Sequence, residues 1–522
     1  MTPYLPQGRR AFLRRAMALA AAGFLQPIAH VSAAKGRFAS YPFTLGVASG
    51  APRPDGVVLW TRLAPLPLAG GGMEPVPVAV RWEVAEDEKF ARIVAHGEAS
   101  AEPQSAHTVH VEVEGLQPAR EYWYRFMAGE EASPVARTRT APTPGKGDER
   151  LRIALGSCQQ YEQGWYVAHR HLAAEGVDVV AFVGDYIYES SWGKEHVRQH
   201  ASGEPYTLAQ YRDRYGQYKS DPDLQLAHAA APWILTWDDH EVDNDYADDE
   251  AEDLEPDFLA RRTAAYRAFL EHQPVRPSML RALAGGEYRI YDRHAWGSLA
   301  LLHVLDDRQY RVHEVCHKPG RGGSNVVGPE CPERLAPGRT ILGSAQERWL
   351  EEGFAASKAT WNVIVQQTLM ASAGRPSSPQ GPLQFWTDGW DGYPAARERL
   401  LETLVSTRAR NPIVLGGDVH ANYVADLRVH PERLETPIVA SEFCGTSITS
   451  QGTRAETVQE IHAANPHIRF AESTRRGYVV IDLTRTGAEA RLRVVDTVKE
   501  SVSGISTRAT FHVEEGRPGI QV

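Results

Sequence analysis

Five apolar runs of this 522-residue chain stop abruptly at side chains that hold cations or protons. The run at 152–156 leads into Gly156-Ser157-Cys158-Gln159 and offers a thiol. VDVVAFVG, at 177–184, stops at Asp185, with the phenol of Tyr188 three residues further on. Trp233–Trp237 opens into Asp238-Asp239-His240-Glu241-Val242-Asp243-Asn244-Asp245, which is dense with oxygen donors. LALLHVL runs into Asp306-Asp307-Arg308-Gln309, and PIVLGG ends at Asp418-Val419-His420-Ala421-Asn422. Carboxylate and phenolate are hard oxygen ligands suited to a highly charged metal ion.

Each piece alone has an ordinary reading. A strand-end aspartate such as Asp185 or Asp418 commonly caps the following helix. Cys158 by itself reads as a small buried apolar residue, and Tyr188 as a packed aromatic with its hydroxyl on backbone. His240 alone reads as a satisfied core histidine, and Arg308 as a partner for Asp306 or Asp307. The conjunction is less ordinary: a thiol, a carboxylate with a phenol, a carboxylate with an amide, and a carboxylate with an imidazole, all at strand ends.

Those strand ends belong to a pattern of apolar strands alternating with helical stretches, which predicts an α/β layered structure. Strands are expected at Arg152–Gly156, Val177–Gly184, Trp233–Trp237, Leu299–Leu305, Asn362–Gln366, Pro412–Gly417 and Tyr478–Leu483, and helices at Ala345–Ala356 and Ala395–Arg408. In such folds, sites assemble in the loops beyond strand ends. Two insertions interrupt the plan: Ser190–Ala231, rich in tyrosine, and Ala371–Pro394, rich in Gly, Pro and Trp. Residues 38–143 read differently. FTLGV, GVVLWTRL, VPVAVRWEV, HTVHVEVEG and YWYRFMAG are short alternating runs of an all-β sandwich. Leu116-Gln117-Pro118 with Tyr122 and Tyr124 resembles the tyrosine corner of fibronectin type III-like modules. APTPGKGDE, at 141–149, has linker composition. The expected division is a leader at 1–34, a β-sandwich at 38–143, a catalytic domain at 150–500 and a tail at 501–522.

The formal charge of −10 becomes −14 without residues 1–34, which carry four arginines and no acid. An acidic chain repels phosphate backbones, so no dedicated nucleic-acid partner is expected. Arg9-Arg10-Ala11-Phe12-Leu13-Arg14, the apolar stretch from Ala16 to Leu25 and the small residues Val31-Ser32-Ala33 read as a twin-arginine export signal with a cleavage point. The expected partner is therefore the twin-arginine export machinery, and the expected location periplasmic or extracellular, with no transmembrane segment in the mature chain. Cys316 and Cys331 flank a Gly/Pro-rich loop, and in an oxidising compartment a disulfide between them is expected. Cys158 and Cys444 remain, either paired or with Cys444 in the core and Cys158 free for chemistry.

The ordered series GSC, GDYIY, WDDHE and GGDVHAN resembles the metallophosphatase pattern, with purple acid phosphatases the nearest well-known relatives. LDDRQYR, the start FTLGVASGAPRPDGVVLWTRL and Trp390-Asp391-Gly392-Tyr393-Pro394 resemble more narrowly the PhoD-type alkaline phosphatases, a family that includes an iron-dependent phospholipase D. The resemblance covers nearly the whole chain after the leader. It implies a four-layer metallophosphatase sandwich, two mixed β-sheets flanked by helices. It implies one metal held by Cys158, Asp185, Tyr188 and His420, a set suited to Fe3+, with Asp185 bridging to a second metal. Asp239 and Asp418 stand where purple acid phosphatases have asparagine and histidine. All-oxygen ligation there favours Ca2+, with Mn2+ or Mg2+ as alternatives. Asn244 and Asp239 both remain candidates for the nearer position.

Two such cations about 3.5–4 Å apart clamp the attacking and leaving oxygens of an in-line displacement, with a bound hydroxide as the expected nucleophile. His240 is expected to bond a phosphate oxygen or protonate the leaving group, and Arg308 to fork onto the phosphoryl oxygens. The expected substrate is a phosphate monoester or diester, or alternatively a phospholipid head group. A second class of reading is a non-catalytic, calcium-stabilised surface module, which has no use for a thiol and a phenol.

Overall fold

The computed structural model describes residues 38–145, 148–281 and 287–521. The leader expected at 1–34 lies outside them. Two large sheets dominate. The ten-stranded sheet has Arg150–Gly156, Val179–Phe182 and Trp233–Leu235 side by side and parallel near its middle. The seven-stranded sheet carries Ala300–Val304, Trp361–Val365, Pro412–Gly416 and Ala440–Cys444, again parallel. Val179–Phe182, Trp361–Val365 and Pro412–Gly416 are buried at every position, as strands covered on both faces must be.

Three apolar clusters account for the layering. One, with Leu155, Ala181, Leu302, Val363 and Leu415, joins the two sheets. A second packs Phe182 and Trp233 of the ten-stranded sheet against Val167–Ala173, Leu208–Lys219, Pro222–Ala230 and Phe258–His272. A third packs Ile364 and Val414 of the seven-stranded sheet against Gly343–Ala356, Pro394–Ser406 and Ala455–Ala464. Helix signals in the insertion at 190–231 are strong: Thr207 and Gln210 form a capping box, and the Asp221 side chain accepts from the amides of Asp223 and Leu224. Tyr211, Tyr215 and Tyr218 of this insertion are core residues.

Two expectations are corrected. The N-terminal layer is not a self-contained sandwich. Val47–Arg53, Gly56–Arg62 and Thr108–Val113 extend the ten-stranded sheet, with Gly50 registered on Trp233. Val78–Ala85, Ile93–Ala101, Glu121–Ala128, Glu131–Ala132 and Ala136–Arg139 form a separate sheet over them. Sequence alternation reports that a strand has a buried face but not which sheet takes it. In this layer the Gln117 amide donates to the Tyr122 hydroxyl at 2.8 Å. The segment after 500 is no tail: Ile505–Glu514 and Arg517–Gln521 close the other edge of the ten-stranded sheet, burying Phe511, Val513 and Ile520. No helix among the described residues is long and apolar enough to cross a membrane. Cys316 and Cys331 are joined as a disulfide, whereas Cys158 and Cys444 are free and buried.

Candidate metal centre

The carboxyl ends of the central parallel strands of both sheets deliver the candidate ligands. Cys158, Asp185, Asp418 and His420 sit immediately beyond them, and all four adopt left-handed backbone, with φ of 59°, 56°, 66° and 52°. Non-glycine residues rarely take this conformation, and such strain gathers at sites where the surrounding fold dictates side-chain direction. Gly184, just before Asp185, is at φ 111°, and a Cβ there would lie 2.4 Å from that of Asp238. Glu241 ties the loops together, accepting from the amides of Asp185, Tyr186 and Asp238 at 3.1, 2.6 and 2.8 Å.

Two donor groups share Asp185. Ligand atoms of Cys158, Asp185 and His420 lie within 4.8 Å of one another, and so do those of Asp185, Asp239 and His240. The Tyr188 hydroxyl joins the first group, donating to Asp185 Oδ2 at 2.7 Å and lying 3.2 Å from His420 Nε2. Asp239 accepts from the amides of His240 and Asp245, at 2.9 and 2.8 Å. Asn244 and Asp418 line the same cavity of about 900 Å³.

The electrostatics suit cations. Burial pushes the Cys158 thiol up, with Asp185 and Asp418 adding to it, and burial likewise raises Tyr188, with Asp185 and Cys158 contributing. Asp185 and Asp418 are raised too, chiefly by burial and then by neighbouring carboxylates. Burial, with Arg476 and His240 nearby, pushes His420 down to about 3, leaving the neutral imidazole that ligates metal. Asp185 Oδ1 and Asp418 Oδ2 are buried without a hydrogen-bond partner. Buried, mutually repelling acids with unpartnered oxygens are what multivalent cations relieve, so the residues fit metal binding.

Other side chains were not foreseen from sequence. Glu189 Oε2 accepts from His240 Nδ1 at 2.7 Å and is itself buried. His240 feels burial first, which disfavours its charge, but Glu189, Asp239 and Asp185 outweigh that and hold it well above the usual histidine range. Its ring lies against Tyr188, with centroids 4.1 Å apart. Trp192 stacks on His420 at 5.7 Å and 5°. Glu189 stands in the GDYIYE run, yet nothing in the sequence says that it reaches a residue 51 positions away.

Arg308 is a correction. Its side chain is 0% exposed, and it forks onto Asp388 at 2.5 and 2.7 Å while donating also to Asp238. It does not line the cavity. Nor does its guanidinium pair with Asp306 or Asp307: only its backbone amide donates to Asp306 Oδ1, at 3.2 Å, and Arg311 is the nearer cation to Asp307, at 3.9 Å. An apolar strand ending in Asp-Asp-Arg gives no sign that the arginine turns inward toward an aspartate 80 residues later.

One carboxylate, Asp185, thus stands in two donor groups at the strand ends of a mixed α/β fold. Comparison with known proteins makes this specific. Residues 153–492 match the family model of the PhoD-like phosphatase, and residues 29–142 that of the PhoD-like phosphatase N-terminal domain. The chain is 45% identical over 500 residues to alkaline phosphatase D of Bacillus subtilis (strain 168), covering 93% of this chain and 83% of that one. A solved structure described as "Structure of PhoD" superposes with a TM-score of 0.87 at 45% identity, covering 93% of each chain. The chain belongs to the PhoD-like phosphatase family and is a homologue of a phosphoric ester hydrolase. The non-catalytic surface module is thereby set aside.

Proposed function

We propose that this protein is a metal-dependent phosphoesterase that hydrolyses phosphate monoesters or diesters, as the name of its alkaline phosphatase relative suggests. One observation carries the proposal: Asp185 belongs to both donor groups and lines a cavity of about 900 Å³. Fe3+ would be held by Cys158, Asp185, Tyr188 and His420, and Ca2+, or else Mn2+ or Mg2+, by Asp185, Asp239, Asp418 and Asn244. The thiol–phenol–imidazole side and the all-oxygen side differ in softness, which supports unlike metals. When bound, the pair supplies Lewis-acid charge and makes deprotonated water available near neutral pH.

The chain's own residues do the rest. Glu189 fixes the His240 ring through Nδ1, so that Nε2 can pass a proton to the leaving oxygen. Trp192 stacks on the His420 ring and holds its plane. Leu369, Ala371, Trp386 and Ile461 contribute apolar surface to the cavity lining. That apolar lining supports the second reading, a phospholipid substrate. The layering supports the four-layer metallophosphatase arrangement, and the Tyr122 contact the fibronectin type III-like character of the N-terminal strands. Export to the periplasm or extracellular space is proposed on Arg9-Arg10 and on the Cys316–Cys331 disulfide.

Purified protein assayed with p-nitrophenyl phosphate, bis-p-nitrophenyl phosphate and phosphatidylcholine separates the substrate readings. Asp185→Asn is expected to abolish turnover and metal retention while staying soluble. Full activity in that variant would sink the proposal.

A further inference from the structure

The four side chains proposed for the iron side are surrounded by a segment that carries none of them. Ser447–Gln451 follows the strand Ala440–Cys444 and reaches Cys158, Tyr188 and His420 in turn. The Thr449 and Ser450 amides donate to the Cys158 carbonyl at 3.3 and 3.2 Å. The Gln451 carbonyl accepts from His420 Nδ1 at 2.9 Å, which turns Nε2 toward Tyr188 and Asp185. Ser450 Oγ lies 2.8 Å from the Tyr188 hydroxyl oxygen and 2.8 Å from the Cys158 carbonyl.

The Ser450 hydroxyl has one hydrogen and two oxygens within reach. The Gln160 amide donates to Ser450 Oγ at 3.2 Å, which fills an acceptor position and leaves the hydroxyl hydrogen to be given away. The Cys158 carbonyl is already supplied by two amides. A tyrosine oxygen that ligates a cation has no hydrogen of its own and becomes an acceptor only. Ser450 is the donor placed against it.

We infer that Ser450 is a positioning residue of the metal centre. Its hydroxyl donates to the ligating oxygen of Tyr188, and Arg476 locks the segment that presents it. Arg476 Nη1 donates to the Ser450 carbonyl at 2.7 Å, to Ser447 Oγ at 2.7 Å and to the His420 carbonyl at 3.0 Å. Gly452 lets this arrangement close, since a Cβ there would lie 2.8 Å from the His420 carbonyl oxygen. Partners that orient metal ligands through hydrogen bonds commonly change metal affinity about 10–100-fold when removed. The inference rests on the proposed iron ligation by Tyr188.

The test uses the purified full-length protein loaded with iron, read by its visible spectrum and by the rate of iron release to a chelator. Ser450→Ala is expected to move the tyrosinate-to-iron band to longer wavelength, because the phenolate loses a stabilising donor. Iron release should quicken about 10–100-fold, and Ser450→Thr, which keeps a hydroxyl, should restore the native band. Arg476→Lys is the second variant, expected to speed release through the loosened segment whether or not Ser450→Ala folds. An unmoved band with unchanged release in Ser450→Ala, or unchanged release in Arg476→Lys, overturns the inference and leaves the iron centre standing. An active, iron-loaded wild type without the band overturns the Tyr188 ligation, and the Ser450 role falls with it.

Discussion

Arg308 shows how far a residue's chemistry depends on what it faces. A guanidinium after an apolar strand reads as a phosphate fork, yet here its donors are spent on Asp238 and Asp388 inside the protein. Breaking such a buried pair leaves carboxylates without a counter-charge, which costs about 3–5 kcal/mol. Arg308→Met is therefore expected to lower the thermal midpoint strongly by differential scanning calorimetry. A raised KM at an unchanged midpoint would return Arg308 to substrate binding. Glu189 is the converse case, an unremarked acid that holds the imidazole on which proton transfer is proposed to depend.

The turn at Gly184 carries comparable weight among the elements. Val179–Phe182 must stop, reverse its backbone at φ 111° and set Asp185 at φ 56° beside the loop after Trp233–Leu235. Gly184→Ala adds a left-handed strain of roughly 1–3 kcal/mol and drives a Cβ against Asp238, 2.8 Å from its amide nitrogen. The expected outcome is a lower midpoint together with weaker metal retention, measured by metal analysis after dialysis. Retention at the wild-type level would mean that the Asp185 loop is held by Glu241 alone.

Several buried histidines make the whole molecule sensitive to acid. Burial pushes the fully buried His303, and the half-buried His110 beside the Gln273 carbonyl, down to about 4 in the folded protein. An unfolded chain protonates histidine near pH 6.5 or so. The folded pKa is depressed and the group is basic, so the unfolded state binds more protons between those two values. The stability is complete above about pH 6.5 and is lost as pH falls toward 4. His303→Gln is expected to flatten the fall in thermal midpoint between pH 6.5 and 4, and an unchanged slope would remove His303 from the account. Both histidines lie away from the metal centre, so activity and acid stability should separate.

Much of the centre was legible in the chain because strand ends are local events. The GSC, GDYIY, WDDHE and GGDVHAN runs each bring an apolar strand to a halt at a donor, and the seven expected strands all stand within a few residues of their predicted places. The likeness to the metallophosphatase pattern lay in those same runs, and the narrower likeness to the PhoD-type family in LDDRQYR, the start FTLGVASGAPRPDGVVLWTRL and Trp390-Asp391-Gly392-Tyr393-Pro394. What folding alone decided concerns partners distant in sequence. Alternation could not say that the first strands would join the catalytic sheet at Trp233, or that the last two would close its other edge. Composition could not say that Arg308 would meet Asp388, that Glu189 would meet His240, or that Ser450 would lie against Tyr188. Donor type and strand-end position are properties of a few adjacent residues, whereas the direction a donor faces is set by which elements pack around it.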